Sequence, residues 1–133
     1  MSPSDVEILR RAWNAWNAGD LDAVFECFDP DVEWDTTTFE GWPEVGVYKR
    51  HEGVREFFEA WLSSWERYES GTEEFIVAPD GRIVVVAWQR GYGTDSKAPV
   101  HMEFAQVTTV RDGLVLRMEA WSDRQAALDS VGL

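Results

Sequence analysis

The sequence predicts an α+β fold in which helices precede a sheet of mostly antiparallel strands. Apolar side chains recur at helical spacing through the first half of the chain and alternate along extended segments in the second half. Short turn segments, PDG and RDG among them, separate the later strands. Helices followed by such a meander pack together on one face of the sheet, so we expect the core between those two layers.

Three helices are predicted in the first half. The first begins at a cap formed by Ser4 or Asp5, and Asp20 caps a short second helix that ends before Pro30. The third has the longest apolar stripe and is expected to end at Gly71. Its apolar positions are Val54, Phe57, Phe58, Trp61, Leu62, Trp65 and Tyr68.

Five strands and a last helix complete the predicted elements. The strands are expected at residues 31–35, 72–78, 82–93, 98–110 and 114–121. Ser122, with Gln125 three residues later, has the spacing of a capping box. We therefore predict a short C-terminal helix that ends near Gly132.

Strand alternation assigns side chains to the two faces of the sheet. Phe104 and Gln106 share the face expected to meet the helices, as does Met118 in the last strand, with Val115 on the opposite face. Gln106 is the one amide in its row, and an unpaired buried amide costs about 1–3 kcal/mol. Its side chain is therefore either satisfied by a neighbour or available to a ligand.

Two face assignments are open for the strand RIVVVAWQRGYG. In the first, Ala87 and Gln89 face the helices; in the second, Trp88, Arg90 and Tyr92 do. The parity of the following loop, GTDSK, decides between them, because one residue more or less turns every side chain of the strand to the other face. The loop tolerates bulges, so its parity is open. We favour the first assignment because it places Arg90 on the wetter face.

Composition limits the classes of function. The 133 residues fit one domain spanning 1–133, and a formal net charge of -13 with 12 Lys+Arg leaves no basic cluster for nucleic acid or an anionic membrane surface. Eight tryptophans exceed ordinary core needs, so some are predicted to line a cavity or an interface. Cys27 is alone, and we expect no metal site. With no apolar signal segment or membrane span in the sequence, a cytoplasmic protein is expected.

The stretch DVEWDTTTFEGWPEVGVYKRHEG contains the strongest candidate site residues. It begins as a strand in which Trp34 and Asp35 alternate, and it continues into a loop with Trp42, Tyr48 and His51. A strand that ends in a carboxylate beside an aromatic-rich loop is typical of a pocket edge. Asp35 is therefore either a catalytic base or the polar residue that ends a strand.

Four segments together resemble a known family: WNAGDLDAVFECFDPDVEW, HEGVREFF, VTTVRDGLVLR and DRQAALDSVGL. They resemble the SnoaL-like branch of the nuclear-transport-factor-two-like superfamily, over nearly the whole chain and in the expected order. The resemblance implies a cone-shaped, cystatin-like α+β barrel, in which a curved antiparallel (mixed) sheet wraps around helices and encloses one pocket. It also implies a homodimer through the outer sheet face. Relatives include polyketide cyclases, ketosteroid isomerases and non-catalytic binders, so fold alone does not choose a function.

The ketosteroid isomerases give the sharpest comparison. Asp35 matches the position of their proton-shuttling aspartate, Phe58 matches an aromatic of the third helix, and their two oxyanion donors fall on Ala12 and Gln106. One donor is thus lost and the other has become an amide. Because each missing donor costs roughly 10²–10³ in rate, efficient steroid isomerisation is not expected.

Two hypotheses of function follow, and neither needs a cofactor. In the first, Asp35 is the base of an isomerase or cyclase that acts on a hydrophobic cyclic ketone or a polyketide-like substrate, with His51 as a second proton carrier. In the second, the chain binds a flat apolar ligand without catalysis; a purely structural dimer module is a further alternative. The predicted pocket residues are Trp16, Trp34, Trp42, Tyr48, His51, Phe58, Trp61, Trp65, Gln89, Phe104, Gln106 and Met118.

Overall fold

A computed structural model describes residues 4–39 and 46–133, and these contain four helices and six strands. The helices are α1 (Asp5–Asn17), α2 (Leu21–Glu26), α3 (Arg50–Ser63) and α4 (Arg124–Ser130). The strands are β1 (Phe28–Asp35), β2 (Val47–Lys49), β3 (Trp65–Val77), β4 (Ile83–Gly93), β5 (Pro99–Arg111) and β6 (Leu114–Trp121). The predicted α+β class is confirmed. Within those ranges, no helix is both long and apolar enough to cross a membrane.

The six strands form one curved, unclosed sheet in the order β2-β1-β6-β5-β4-β3. Each neighbouring pair is antiparallel except β1 and β6, which run parallel, so the sheet is mixed, as predicted. We call the face that meets α1, α2 and α3 the inner face. Ile83 and Val85 of β4 lie on it, in a core shared with Leu9, Phe25 and Val54 of the three helices.

The opposite face of the sheet, the outer face, is partly covered by α4. Ala127 and Val131 pack there against Val84, Val86 and Val107 in a second core cluster. The expectation that the helices all share one face is therefore wrong for α4. The reason is that β4 begins with five consecutive buried apolar residues, so both of its faces need cover.

The third helix is shorter than predicted. It ends at Ser63, and Trp65, Tyr68 and Gly71 belong to β3, which pairs with β4 along its whole length. Trp65 and Tyr68 are three residues apart, a spacing that continues the helical stripe, and backbone pairing with β4 overrides it. Gly71 therefore does not end a helix. Glycine is needed at this position of β3 because a Cβ there would lie 2.8 Å from the Trp88 ring.

The helix caps follow the sequence closely. Ser4 accepts a hydrogen bond from the backbone of Glu7 at 3.3 Å, and Asp20 accepts one from Ala23 at 3.1 Å, as predicted. At α4 the capping residue is Asp123 rather than Ser122, and its carboxylate accepts from the Gln125 backbone N–H at 3.2 Å. The short strand β2, which pairs with β1, was not predicted.

A bulge in β6 changes the predicted face of one residue. Thr109 pairs with Arg117 and Val110 with Val115, so Leu116 is an extra residue between the two pairs. As a result Val115 lies in the inner core with 0% exposure, although strict alternation from Met118 places it outside.

Candidate small-molecule site

A cavity of about 110 Å³ lies between the inner face and helices α1–α3. Ten of its twenty described lining residues are aromatic. A dry cavity of about 150 Å³ suffices to bind benzene, so this space is in the size range of one aromatic ring. The predicted pocket residues that line it are Trp16, Trp34, Phe58, Trp61, Gln89, Phe104, Gln106 and Met118.

The aromatic walls come from α1, α3, β1 and β5. The Phe58 ring packs edge-on against Trp16 at 4.9 Å and against Trp34 at 5.0 Å. On the facing side, Trp13 and Phe104 lie 6.3 Å apart. Edge-to-face contacts hold the rings rigidly, and a flat ligand can stack between such walls at little cost in side-chain entropy.

Several lining residues were not among the predicted pocket residues, notably Trp13, Thr36, Phe39, Tyr68, Thr108 and Val115. For two of them, Thr36 and Thr108, the sequence contains a signal. Thr36 follows Trp34, and Thr108 follows Gln106, at the two-residue period of a strand. Val115 was hidden by the bulge at Leu116, for which the sequence offers no signal.

Four predicted pocket residues, Trp65 among them, are not among the described residues that line the cavity. Tyr48 packs its ring 4.6 Å from Phe57, and His51 Nε2 lies 3.1 Å from the backbone carbonyl oxygen of Phe28. His51 is therefore held by the backbone of β1 and does not reach the cavity as a proton carrier. Trp42 lies outside the described residues.

Trp65 is buried beyond one end of the cavity. Its ring sits over Gly91, where a Cβ would come within 2.9 Å of it, and packs 5.5 Å from Tyr68. The inward position of Gly91 and Gln89 confirms the favoured assignment of β4. Trp65 thus packs in the core at this end of the sheet and, contrary to the prediction, is not among the described residues that line the cavity.

The Asp35 carboxylate lies on the outer side of β1. Its neighbours Trp34 and Thr36 line the cavity, and alternation turns Asp35 the other way. There its oxygens accept hydrogen bonds from the Thr37 backbone N–H at 2.9 Å, the Thr37 hydroxyl at 2.6 Å and Arg117 Nη2 at 3.1 Å. The hypothesis of a catalytic base expected the Asp35 carboxylate to face the cavity, and in the structure it faces the opposite side of β1.

Arg117 is the centre of an ion cluster on the outer face. Besides Asp35, its guanidinium pairs with Glu119 at 2.5 Å and with Glu33 at 3.5 Å. The parallel pairing of β1 with β6 brings these groups together, since Glu33 lies opposite Arg117 and Asp35 opposite Glu119. Three carboxylates around one guanidinium form a structural network, in which the Asp35 oxygens already have donors.

Tyr68 and Gln89 form a closed polar pair inside the cavity wall. The Tyr68 hydroxyl donates to Gln89 Oε1 at 2.7 Å, and the Gln89 amide nitrogen lies 3.0 Å from Met102 Sδ. Burial raises the pKa of the Tyr68 phenol, although hydrogen bonds with Trp61, Ser70 and Trp16 act to lower it. The phenol is consequently neutral at ordinary pH.

Gln106 is the polar lining residue with spare hydrogen-bonding capacity. The hydroxyl of Thr108 donates to the Ile83 carbonyl at 2.9 Å, and Thr36 exchanges hydrogen bonds with the backbone of Gly46. The Gln106 amide, in contrast, makes no hydrogen bond within residues 4–39 and 46–133. Both its carbonyl and its NH₂ group are open to a ligand in the cavity.

The chemistry available to this cavity is stacking and neutral hydrogen bonding. Among its described lining residues, Tyr68 is the only titratable side chain. In the described part of the chain, no three His, Cys, Asp or Glu side chains are grouped to hold a metal ion. Fold and cavity together define a class, the α+β proteins with a cavity between a curved sheet and its helices.

The family model for the SnoaL-like domain matches residues 9–118. The chain belongs to this family, which confirms the resemblance drawn from the four sequence segments. No curated protein matches the chain.

Solved structures share the fold. TerC, co-crystallised with polyporic acid, is 23% identical with a TM-score of 0.76, covering 95% of this chain and 95% of its own. An NTF2-like protein of unknown function from Burkholderia pseudomallei is 20% identical, with a TM-score of 0.77 and coverage of 96% and 97%. A putative polyketide cyclase from Sinorhizobium meliloti is 23% identical, with a TM-score of 0.67 and coverage of 86% and 93%. The cystatin-like fold is confirmed.

Proposed function

We propose that the chain binds one small, flat, largely aromatic ligand, which stacks in the cavity and accepts or donates a hydrogen bond at Gln106. The observation that carries the proposal is the unengaged Gln106 amide within aromatic walls. The Gln106 side chain is partly exposed, so its amide can exchange a hydrogen bond with water for a direct one with a ligand carbonyl or hydroxyl. The neighbouring structure co-crystallised with polyporic acid supports a small-molecule role for the fold.

Gln106→Leu is expected to weaken ligand binding about tenfold or more, because it removes the hydrogen bond and keeps the side-chain volume. Titration of the intrinsic tryptophan fluorescence with a panel of small single-ring aromatic compounds measures the change. Gln125→Leu, on the exposed surface of α4, is the matched control and should bind as the parent does. Equal affinity of parent and Gln106→Leu for every ligand would remove Gln106 from the site.

A second candidate function is the acid–base cyclase or isomerase with Asp35 as base. The putative polyketide cyclase among the structural neighbours favours it. It requires the Asp35 carboxylate to break its hydrogen bonds with Arg117 and Thr37 and to turn towards the cavity. Product formation from a cyclic ketone or polyketide-like substrate, lost in Asp35→Asn, would favour this function over simple binding; unchanged turnover would exclude Asp35.

The expected homodimer is a further proposal, and α4 limits where it can form. α4 covers Val84 and Val86, whereas Tyr92, at the other end of β4, is 40% exposed and could take part in such a contact. Sedimentation at micromolar concentration should give twice the 15.2 kDa chain mass. A monomer that persists at high concentration would contradict a dimer.

A further inference from the structure

The cavity contains a hydrogen-bonding amide but no positive charge. None of its described lining residues is Arg, Lys or His, and the single titratable side chain among them, Tyr68, donates a hydrogen bond to Gln89. A ligand anion would therefore meet one neutral NH₂ group and aromatic rings.

The charged side chains of the surrounding strands lie on the outer face. They include Glu33, Asp35, Arg90, Glu103, Arg117 and Glu119, each adjacent to an inward residue of its strand. Arg117 is neutralised by its carboxylates, and Arg90 pairs with Glu69 at 2.7 Å. Neither of these two guanidinium groups lines the cavity, where it could balance the charge of a ligand.

The helices that pack over the cavity also direct their charges away from it. Arg10 of α1 lies over the Phe75 ring at 4.7 Å, and Arg55 of α3 pairs with Asp22 at 2.9 Å. His51 contacts the carbonyl oxygen of Phe28. The formal net charge of -13 adds a long-range repulsion against anions.

We infer that the site takes its ligand in the uncharged form, as a phenol-type aromatic whose hydroxyl stays protonated, and excludes the conjugate anion. The inference rests on the proposed function and adds the class of ligand. Burying an ionised group without a counter-charge is far more costly than burying a neutral hydroxyl that meets an amide carbonyl. The bound hydroxyl donates to Gln106 Oε1, and its acidity falls on binding.

The probe is para-nitrophenol, which ionises near neutral pH and changes colour when it does. Its affinity for the intact chain is measured across that range by calorimetry, and the absorbance of the bound ligand reports its protonation state. Nitrobenzene, which does not ionise, is the matched control for any effect of pH on the protein itself.

We expect the bound spectrum to be that of the neutral phenol even where the free ligand is mostly phenolate. The apparent Kd should rise about tenfold per pH unit above the ligand's own pKa, while that of nitrobenzene stays constant. A phenolate spectrum on the protein, or affinity that rises with pH, would overturn the inference and leave the proposed binding function intact. Binding of neither probe at any pH would contradict both.

Discussion

Phe58→Ala is expected to lower the free energy of unfolding by about 3–5 kcal/mol. Phe58 is 4% exposed and packs against Trp16, Trp34 and Phe28, so its removal opens a void where α3 meets β1 and α1. Rigid neighbouring rings can only partly collapse into such a void, which places the cost at the upper end for a core truncation.

Urea unfolding followed by circular dichroism measures this change. Val77→Ala, at a position that is 59% exposed at the end of β3, is the control and should stay within about 0.5 kcal/mol of the parent. A loss for Phe58→Ala as small as that of the control would show that the aromatic cluster around the cavity does not hold the helices to the sheet.

Arg117→Met is expected to cost about 1–3 kcal/mol of stability. It leaves Asp35, which is 9% exposed, and Glu119 next to each other without their shared cation. The Arg117 side chain is itself 39% exposed, so solvent screening reduces the cost below that of a fully buried pair. Ligand binding in the cavity should persist, because the cluster lies on the outer face.

Arg124→Met provides the comparison in the same unfolding experiment. Arg124 and Glu74 pair at 2.9 Å with exposures of 53% and 52%, so this bridge should contribute under about 1 kcal/mol. Equal losses for the two variants would mean that the burial of Asp35 adds nothing to the Arg117 cluster. Loss of ligand binding in Arg117→Met alone would instead connect the cluster to the site.

Local patterns predicted the fold and much of the cavity wall. The caps at Ser4 and Asp20 follow from residue type at a helix start, and the inward row of Phe104 and Gln106 follows from strand alternation. The family was found from four matching sequence segments. Two predictions for Asp35 disagree. Alternation from Trp34 places its side chain on the outer face, whereas the resemblance to ketosteroid isomerases suggested a base that faces the cavity. The side-chain period of the strand decides where the carboxylate points.

The remaining differences arise where pairing between distant segments overrides a local pattern. The spacing of Trp65 and Tyr68 fits a helix, and they lie in a strand because β3 pairs with β4, with a register shift between Glu66 and Glu69. Leu116 shifts the register by one residue and moves Val115 into the core. Tyr68 was missed as a cavity residue because it was predicted in a helix. A residue assigned to the wrong element cannot be assigned to the right face.

The most direct test of ligand binding at Gln106 is the NMR signal of its side-chain NH₂ group. The chain has three glutamines, and Gln106→Leu identifies the resonance by its loss. On saturation with a bound aromatic ligand we expect this resonance to shift strongly, that of Gln89 to move less because Tyr68 and Met102 already engage it, and that of exposed Gln125 to stay in place. A ligand that binds, as shown by tryptophan fluorescence, and leaves the Gln106 resonance unmoved would contradict the proposed site.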